Sequence, residues 1–184
     1  MTKSHASGRG WALTDASTIP SLWNVGGDGV AIDEEEAFGM IAERDPGIIE
    51  RWDEIERRHP GYEDEVEYHS VRQHFGIRAF GVAAWTAPAG QCLVPPHSES
   101  AADYHHEELY VLLSGSARIT CDGEEVAMAA GQLLFVEPQV VREGVALETP
   151  TTMLVIGGVP GRAYEPPPFA LDRPAENRRR SADG

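Results

Sequence analysis

Two short stretches of this chain set an imidazole two residues ahead of a carboxylate: His97-Ser98-Glu99 and His106-Glu107-Glu108. Residues two apart in an extended chain share a face. Each pair would therefore present one nitrogen and one oxygen donor side by side. Brought together on neighbouring strands, the two pairs offer two imidazoles and two carboxylates. That set suits Fe(II), Mn(II), Ni(II) or Zn(II), and Glu99 or His106 could alternatively move protons. A buried carboxylate without a partner costs several kcal/mol. Glu108, placed at the head of an apolar run, thus calls for a cation, a hydrogen-bond donor or a raised pKa. The plain alternatives are a charged strand entry for Glu108 and a backbone-bonded loop histidine for His97, which follows Pro95-Pro96.

The run that must position these groups is "HHEELYVLLSG", residues 105–115. Alternation sends His106, Glu108, Tyr110 and Leu112 to one face and Glu107, Leu109, Val111 and Leu113 to the other. A strand apolar on both faces is expected to be covered on both, with the first face lining the interior of a barrel. From about residue 75 onward the chain reads as short β runs: "FGIRAFGVAAWTA", "QCLVPPH", "ELYVLLSG", "SARITCDG", "EEVAMAAG", "QLLFVEP", "VVREGVALE" and "TTMLVIGG". Gly, Pro or Asp-Gly punctuates most of them, and Asp122-Gly123 is a hairpin signal. This spacing predicts an all-β sandwich or barrel. Ahead of it lie helices. "IDEEEAFGMIAER" opens on acids. Asp45 then serves as an N-cap with Pro46 at the first helical position, and Ile48, Trp52 and Ile55 form one apolar stripe that stops at His59-Pro60-Gly61. Trp52 and Trp85 read as packing, and His59, His69 and His74 as non-functional. "NVGGDGVAI" reads as a turn and not a phosphate loop.

The chain has 184 residues, enough for one domain with extensions. Its formal net charge of -15 argues against nucleic acid and against an anionic membrane surface. No run of 18 apolar residues occurs, and the N-terminal stretch lacks a signal-peptide core, so a cytoplasmic protein is expected. Cys92 and Cys121 read as free buried thiols.

The order Gly90, His97, Glu99, Glu108, Gly115, followed by "AGQLLFVEPQVVR", resembles the two motifs of the cupin superfamily over roughly residues 77–160. "HEELYV" and "GVPGRAYEP" also resemble a group of single-domain bacterial cupins. The resemblance implies an all-β cupin double-stranded β-helix, a jelly-roll barrel, with an N-terminal helical extension. The expected organisation is a flexible N-terminus over 1–20, helices over 33–60, the barrel over 75–160, and a Pro-rich arm with a disordered tail over 161–184. The family's usual ligands are three histidines and one glutamate. By position only His97 and Glu108 stand in place, with Glu99 in the slot of the second histidine. Arg142 occupies the histidine slot of the second motif and Ala146 its asparagine slot. Arginine stays protonated and cannot ligate a metal.

These substitutions leave two functions open. One is a metal-dependent dioxygenase- or isomerase-type enzyme acting on a small organic acid, phenol or sugar derivative. Its metal would sit on His97, His106 and Glu108, with Glu99, Arg142 and Tyr110 as catalytic groups. The other is a non-catalytic small-molecule binder or sensor without a metal. There Arg142 either clamps a ligand anion or pairs with Glu108 or Glu99 in the metal's place. The resemblance also implies a homodimer, with the Pro-rich arm as a candidate to cross to a neighbour.

Overall fold

The computed structural model of the protein describes residues 13–14, 18–19, 43, 47–100 and 105–164. The stretch 33–42, the Asp45-Pro46 cap, the arm beyond Tyr164 and most of residues 1–20 lie outside them. The described helix α1 (Ile48–Arg58) begins with Gly47 at its N-cap. On it Ile55 is buried and Trp52 half-buried against the core. Two contacts tie its end to the strands: Arg58 to Glu143 at 2.7 Å, and His59 Nδ1–H donating to the Gly90 carbonyl at 3.2 Å. A short turn of helix, α2 (Tyr62–Glu65), follows and buries Tyr62.

Among the described residues nine strands make two antiparallel sheets: β1 (Glu67–His69), β2 (Gly81–Ala87), β3 (Cys92–His97), β4 (Glu107–Ser114), β5 (Ser116–Cys121), β6 (Glu124–Ala129), β7 (Leu133–Val136), β8 (Arg142–Ala146) and β9 (Thr151–Gly158). The order is β1-β2-β9-β4-β7 in one sheet and β3-β8-β5-β6 in the other, a jelly roll. Alternation along the strands sends Tyr110, Leu112, Met153, Val136, Ala117, Ile119 and Met128 between the sheets, where all are buried. The β5–β6 hairpin turns at Asp122-Gly123, both with positive φ, as expected of an Asp-Gly turn. Trp52 and Trp85 pack against the core as expected. Among the described residues no helix is long and apolar enough to cross a membrane.

Three details depart from the sequence reading. The run expected to start a strand near residue 75 instead closes a helix, α3 (Val71–Phe75), and β2 begins at Gly81. Local capping wins there: the Ser70 side chain accepts from Gln73 N–H, and Gly76 terminates the helix at φ 69°. β4 is not covered on both faces, because Leu113 on its outer side is exposed, as are Leu133 and Phe135 on the neighbouring edge strand β7. Cys92 is buried, but Cys121 is only half-buried.

Two positive-φ glycines separate backbone strain from steric conflict. At Gly115 (φ 74°) an added Cβ would lie 2.4 Å from Thr151 Oγ1 and 2.9 Å from the Pro150 carbonyl oxygen. At Gly123 (φ 86°) it would meet nothing within 4 Å. Urea denaturation is expected to show Gly123→Ala costing about 1 kcal/mol and Gly115→Ala about 2 kcal/mol or more beyond that. Equal losses would show that the β4–β9 corner is looser than described.

Candidate functional site

The alternation inferred for β4 holds: His106, Tyr110 and Leu112 are buried and Glu108 is half-buried on the inner side, while Glu107 is exposed. Antiparallel pairing of β3 with β8 sets His97 opposite Arg142. Glu99 lies beyond the end of β3, and two backbone hydrogen bonds carry it inward. Its N–H donates to the Pro138 carbonyl at 2.8 Å, and its own carbonyl accepts from His105 N–H at 2.7 Å. His105 takes a positive φ there and remains exposed.

The result is a chain of ionisable groups at one end of the barrel. Arg142 is fully buried and its guanidinium donates in three directions. Nη2 reaches Glu108 Oε2 at 2.5 Å, Nε reaches Tyr110 Oη at 3.2 Å, and Nη1 reaches the Val140 carbonyl at 3.0 Å. Tyr110 Oη–H also donates to Glu108 Oε2 at 2.5 Å. His97 Nε2 lies 3.6 Å from both Glu108 Oε2 and Glu99 Oε1. On the far side of the ring, Nδ1 is 2.6 Å from the Pro95 carbonyl. A carbonyl only accepts, so Nδ1 carries the proton, and Nε2 is the atom presented to the two carboxylates.

Electrostatics follow from these contacts. Burial pushes the Glu108 carboxyl up, but the His97 imidazole, the Arg142 guanidinium and the Tyr110 hydroxyl outweigh it and hold the pKa at about 2. Burial first, and then the Glu108 charge, raise the Tyr110 phenol well above its usual range.

One ligand atom each from His97, Glu99 and Glu108 lies within 4.8 Å of the others, a grouping able to hold a metal ion. Glu99, expected in proton transfer, thus stands in this grouping. His106, expected as a ligand, is not part of it. Its Nδ1–H donates to Glu99 Oε2 at 3.0 Å, so it orients the carboxylate from behind. Arg142 does not face outward to clamp a ligand anion, since its three nitrogens are committed inside the barrel. This is the internal pairing with Glu108 that the sequence left open. Tyr110 is likewise a buried support for Glu108 and not a wall of a pocket. His69, set aside in the sequence, is buried because its Nδ1–H donates to the Ile19 carbonyl at 2.6 Å.

A jelly roll with ionisable groups gathered at one end of its interior defines a class of small barrels, and the match to known families agrees. Residues 90–157 match the cupin domain model, so this part of the chain is a cupin domain. No curated protein matches the sequence. Among solved structures the chain is similar to a cupin protein from Bacteroides fragilis, with 27% identity, 54% of this chain and 81% of that one covered, and a TM-score of 0.46. A cupin superfamily protein from Desulfitobacterium hafniense shares 19% identity over 52% of this chain and 79% of that one, with a TM-score of 0.43. A sugar phosphate isomerase from a cupin superfamily of Silicibacter pomeroyi shares 18% over 54% and 63%, with a TM-score of 0.44.

Glu108 is ionised against its burial, so the fold's stability carries its pH signature. The stabilisation is complete above the ordinary carboxyl value of 4.5 and is lost as the pH falls toward about 2. Glu108→Gln leaves the Arg142 guanidinium buried beside a neutral amide and is expected to cost about 3 kcal/mol at neutral pH. It should also flatten the acid limb of stability over that window. Urea midpoints measured from pH 7 to pH 2 check both, and an acid limb unchanged in the variant would overturn the assignment.

Proposed function

We propose that this protein is a small-molecule-handling cupin whose site holds a divalent cation, Fe, Mn, Ni or Zn, on His97, Glu99 and Glu108, and that it acts as an isomerase- or dioxygenase-type enzyme. The carrying observation is the approach of one imidazole nitrogen and two carboxylate oxygens to within 4.8 Å of one another at half-buried positions. The donor chemistry fits such an ion. His97 presents Nε2 because Pro95 fixes its tautomer, and the Arg142 and Tyr110 bonds to Glu108 both fall on a single oxygen. A bound ion of this kind supplies Lewis acidity toward a substrate oxygen.

The protein's own residues do the rest. Tyr110 and Arg142 hold the Glu108 carboxylate in its ionised form. Val140, through its carbonyl, holds Arg142 in place. His106 fixes the direction of Glu99. His97, about one-third exposed at its side chain, is the most open member of the cluster and the one a ligand entering from the barrel end would meet. Small organic acids, phenols and sugar derivatives are the substrate classes this reading takes.

The Arg142–Glu108 contact favours a second reading. A guanidinium and a protonated His97 would together balance two carboxylates without any ion. The protein would then be a metal-free binder or sensor. Under either reading the proposed location is cytoplasmic, and the proposed assembly is a homodimer.

Metal content by mass spectrometry of protein purified without a His-tag separates the two. Near one equivalent is expected, with His97→Ala and Glu99→Gln each lowering cation affinity by more than about 100-fold. No metal as purified, together with no uptake on titration, would replace the first reading with the second.

A further inference from the structure

The segment after β9, Val159-Pro160-Gly161-Arg162-Ala163-Tyr164, has no part in the ligand cluster, yet it is built to end over it. Arg162 N–H donates to the Val159 carbonyl at 3.2 Å, and Gly161 sits at φ 71°. Proline second and a positive-φ glycine third make a type II turn. It folds the chain back so that Tyr164 arrives above Gly81. A Cβ on Gly81 would lie 2.7 Å from Tyr164 Oη and 2.8 Å from its ring, so only glycine leaves the slot open. Gly81 pairs with Gly157, and Gly157 with Glu108, in one row across the sheet. The slot is therefore next to the site. The Tyr164 ring stacks on His106, with centroids 5.5 Å apart and planes 28° apart, and the Arg72 guanidinium lies 5.6 Å from the Tyr164 centroid.

We infer that Tyr164 is a positioning residue for this site: its ring fixes the His106 imidazole so that Nδ1–H holds Glu99 toward His97 and Glu108. The inference rests on the metal-site reading for its affinity consequence, but not for its geometry. Stacking restrains the imidazole plane, and the imidazole restrains one carboxylate oxygen at 3.0 Å. The other oxygen of the same carboxylate faces His97 Nε2 at 3.6 Å. Partners that orient a ligand in this way typically set about 10–100-fold of metal affinity. The type II turn and Gly81 thereby acquire a purpose that packing alone does not give them.

Two measurements on the full chain test this. The first is Mn2+ titration followed by water-proton relaxation. His106→Ala is expected to weaken binding about 10–100-fold, and His106→Asn, which keeps an N–H near the Nδ1 position, to restore it to within about threefold. Tyr164→Ala should weaken binding about three- to tenfold, and Tyr164→Phe, which keeps the stack, should restore it. Gly81→Ala, which evicts the ring without touching a site residue, should match Tyr164→Ala, and it carries the comparison if Tyr164→Ala fails to fold. The second measurement needs no metal. A slowly exchanging imidazole proton in the NMR spectrum, lost in Glu99→Gln and in His106→Asn, should broaden in Tyr164→Ala and Gly81→Ala. Wild-type affinity in both ring-displacing variants, or an imidazole proton they leave unchanged, overturns the inference. A wild-type chain that takes up no Mn2+ overturns the metal-site reading instead, and the imidazole proton then decides the positioning role alone.

Discussion

A guanidinium with no exposure to solvent is the constraint around which this barrel end is arranged. Arginine cannot shed its charge to escape burial, so Arg142 must be answered where it lies. Glu108 answers it at 2.5 Å, and Tyr110 and the Val140 carbonyl take its remaining directions. These partners come from β4 and from the turn leading into β8, so the requirement to neutralise one charge fixes how the two sheets approach each other here. Interior ion pairs seldom add net stability over an apolar replacement, but breaking one is costly. The pair therefore acts as a locator more than as glue: it determines where the Glu108 oxygens point, and the orientation of His97 and Glu99 is built outward from that.

The charge balance of the cluster then carries the chemistry. Two carboxylates, Glu99 and Glu108, face one permanent cation, Arg142, and leave one negative charge for His97 or for an added ion to satisfy. The His97 ring, pinned through Nδ1 to Pro95, is oriented for either task. What separates the two functional readings is thus whether a proton on His97 or a divalent ion answers that charge, and not a difference of fold.

Much of this was legible in the residues. The period-two pattern of "HHEELYVLLSG" placed His106, Glu108 and Tyr110 on the inner face, because a half-buried strand leaves little freedom of register. Asp122-Gly123 marked its hairpin by backbone sterics alone. The misreadings have a common cause. Whether Glu99 or His106 joins the cluster depends on a hydrogen bond from Glu99 to Pro138, a residue almost forty positions away. No local pattern encodes that contact. The exposure of Leu133 and Phe135 likewise follows from β7 standing at a sheet edge, which is a matter of topology. The α3 helix is different: its start and stop signals, Ser70, Gln73 and Gly76, are all local, and they prevail over the apolar run that follows.

The shared Glu108 Oε2 also bears on how such a site can change over generations. Arg142, Tyr110 and His97 all converge on that one atom. Exchanging any one of them alters the electrostatic bargain for the other two, so substitutions here are strongly epistatic. Arg142→His alone would leave Glu108 without its permanent counter-charge. Compensation elsewhere, or an imported cation, would have to come first. The present arrangement thus resists change one residue at a time.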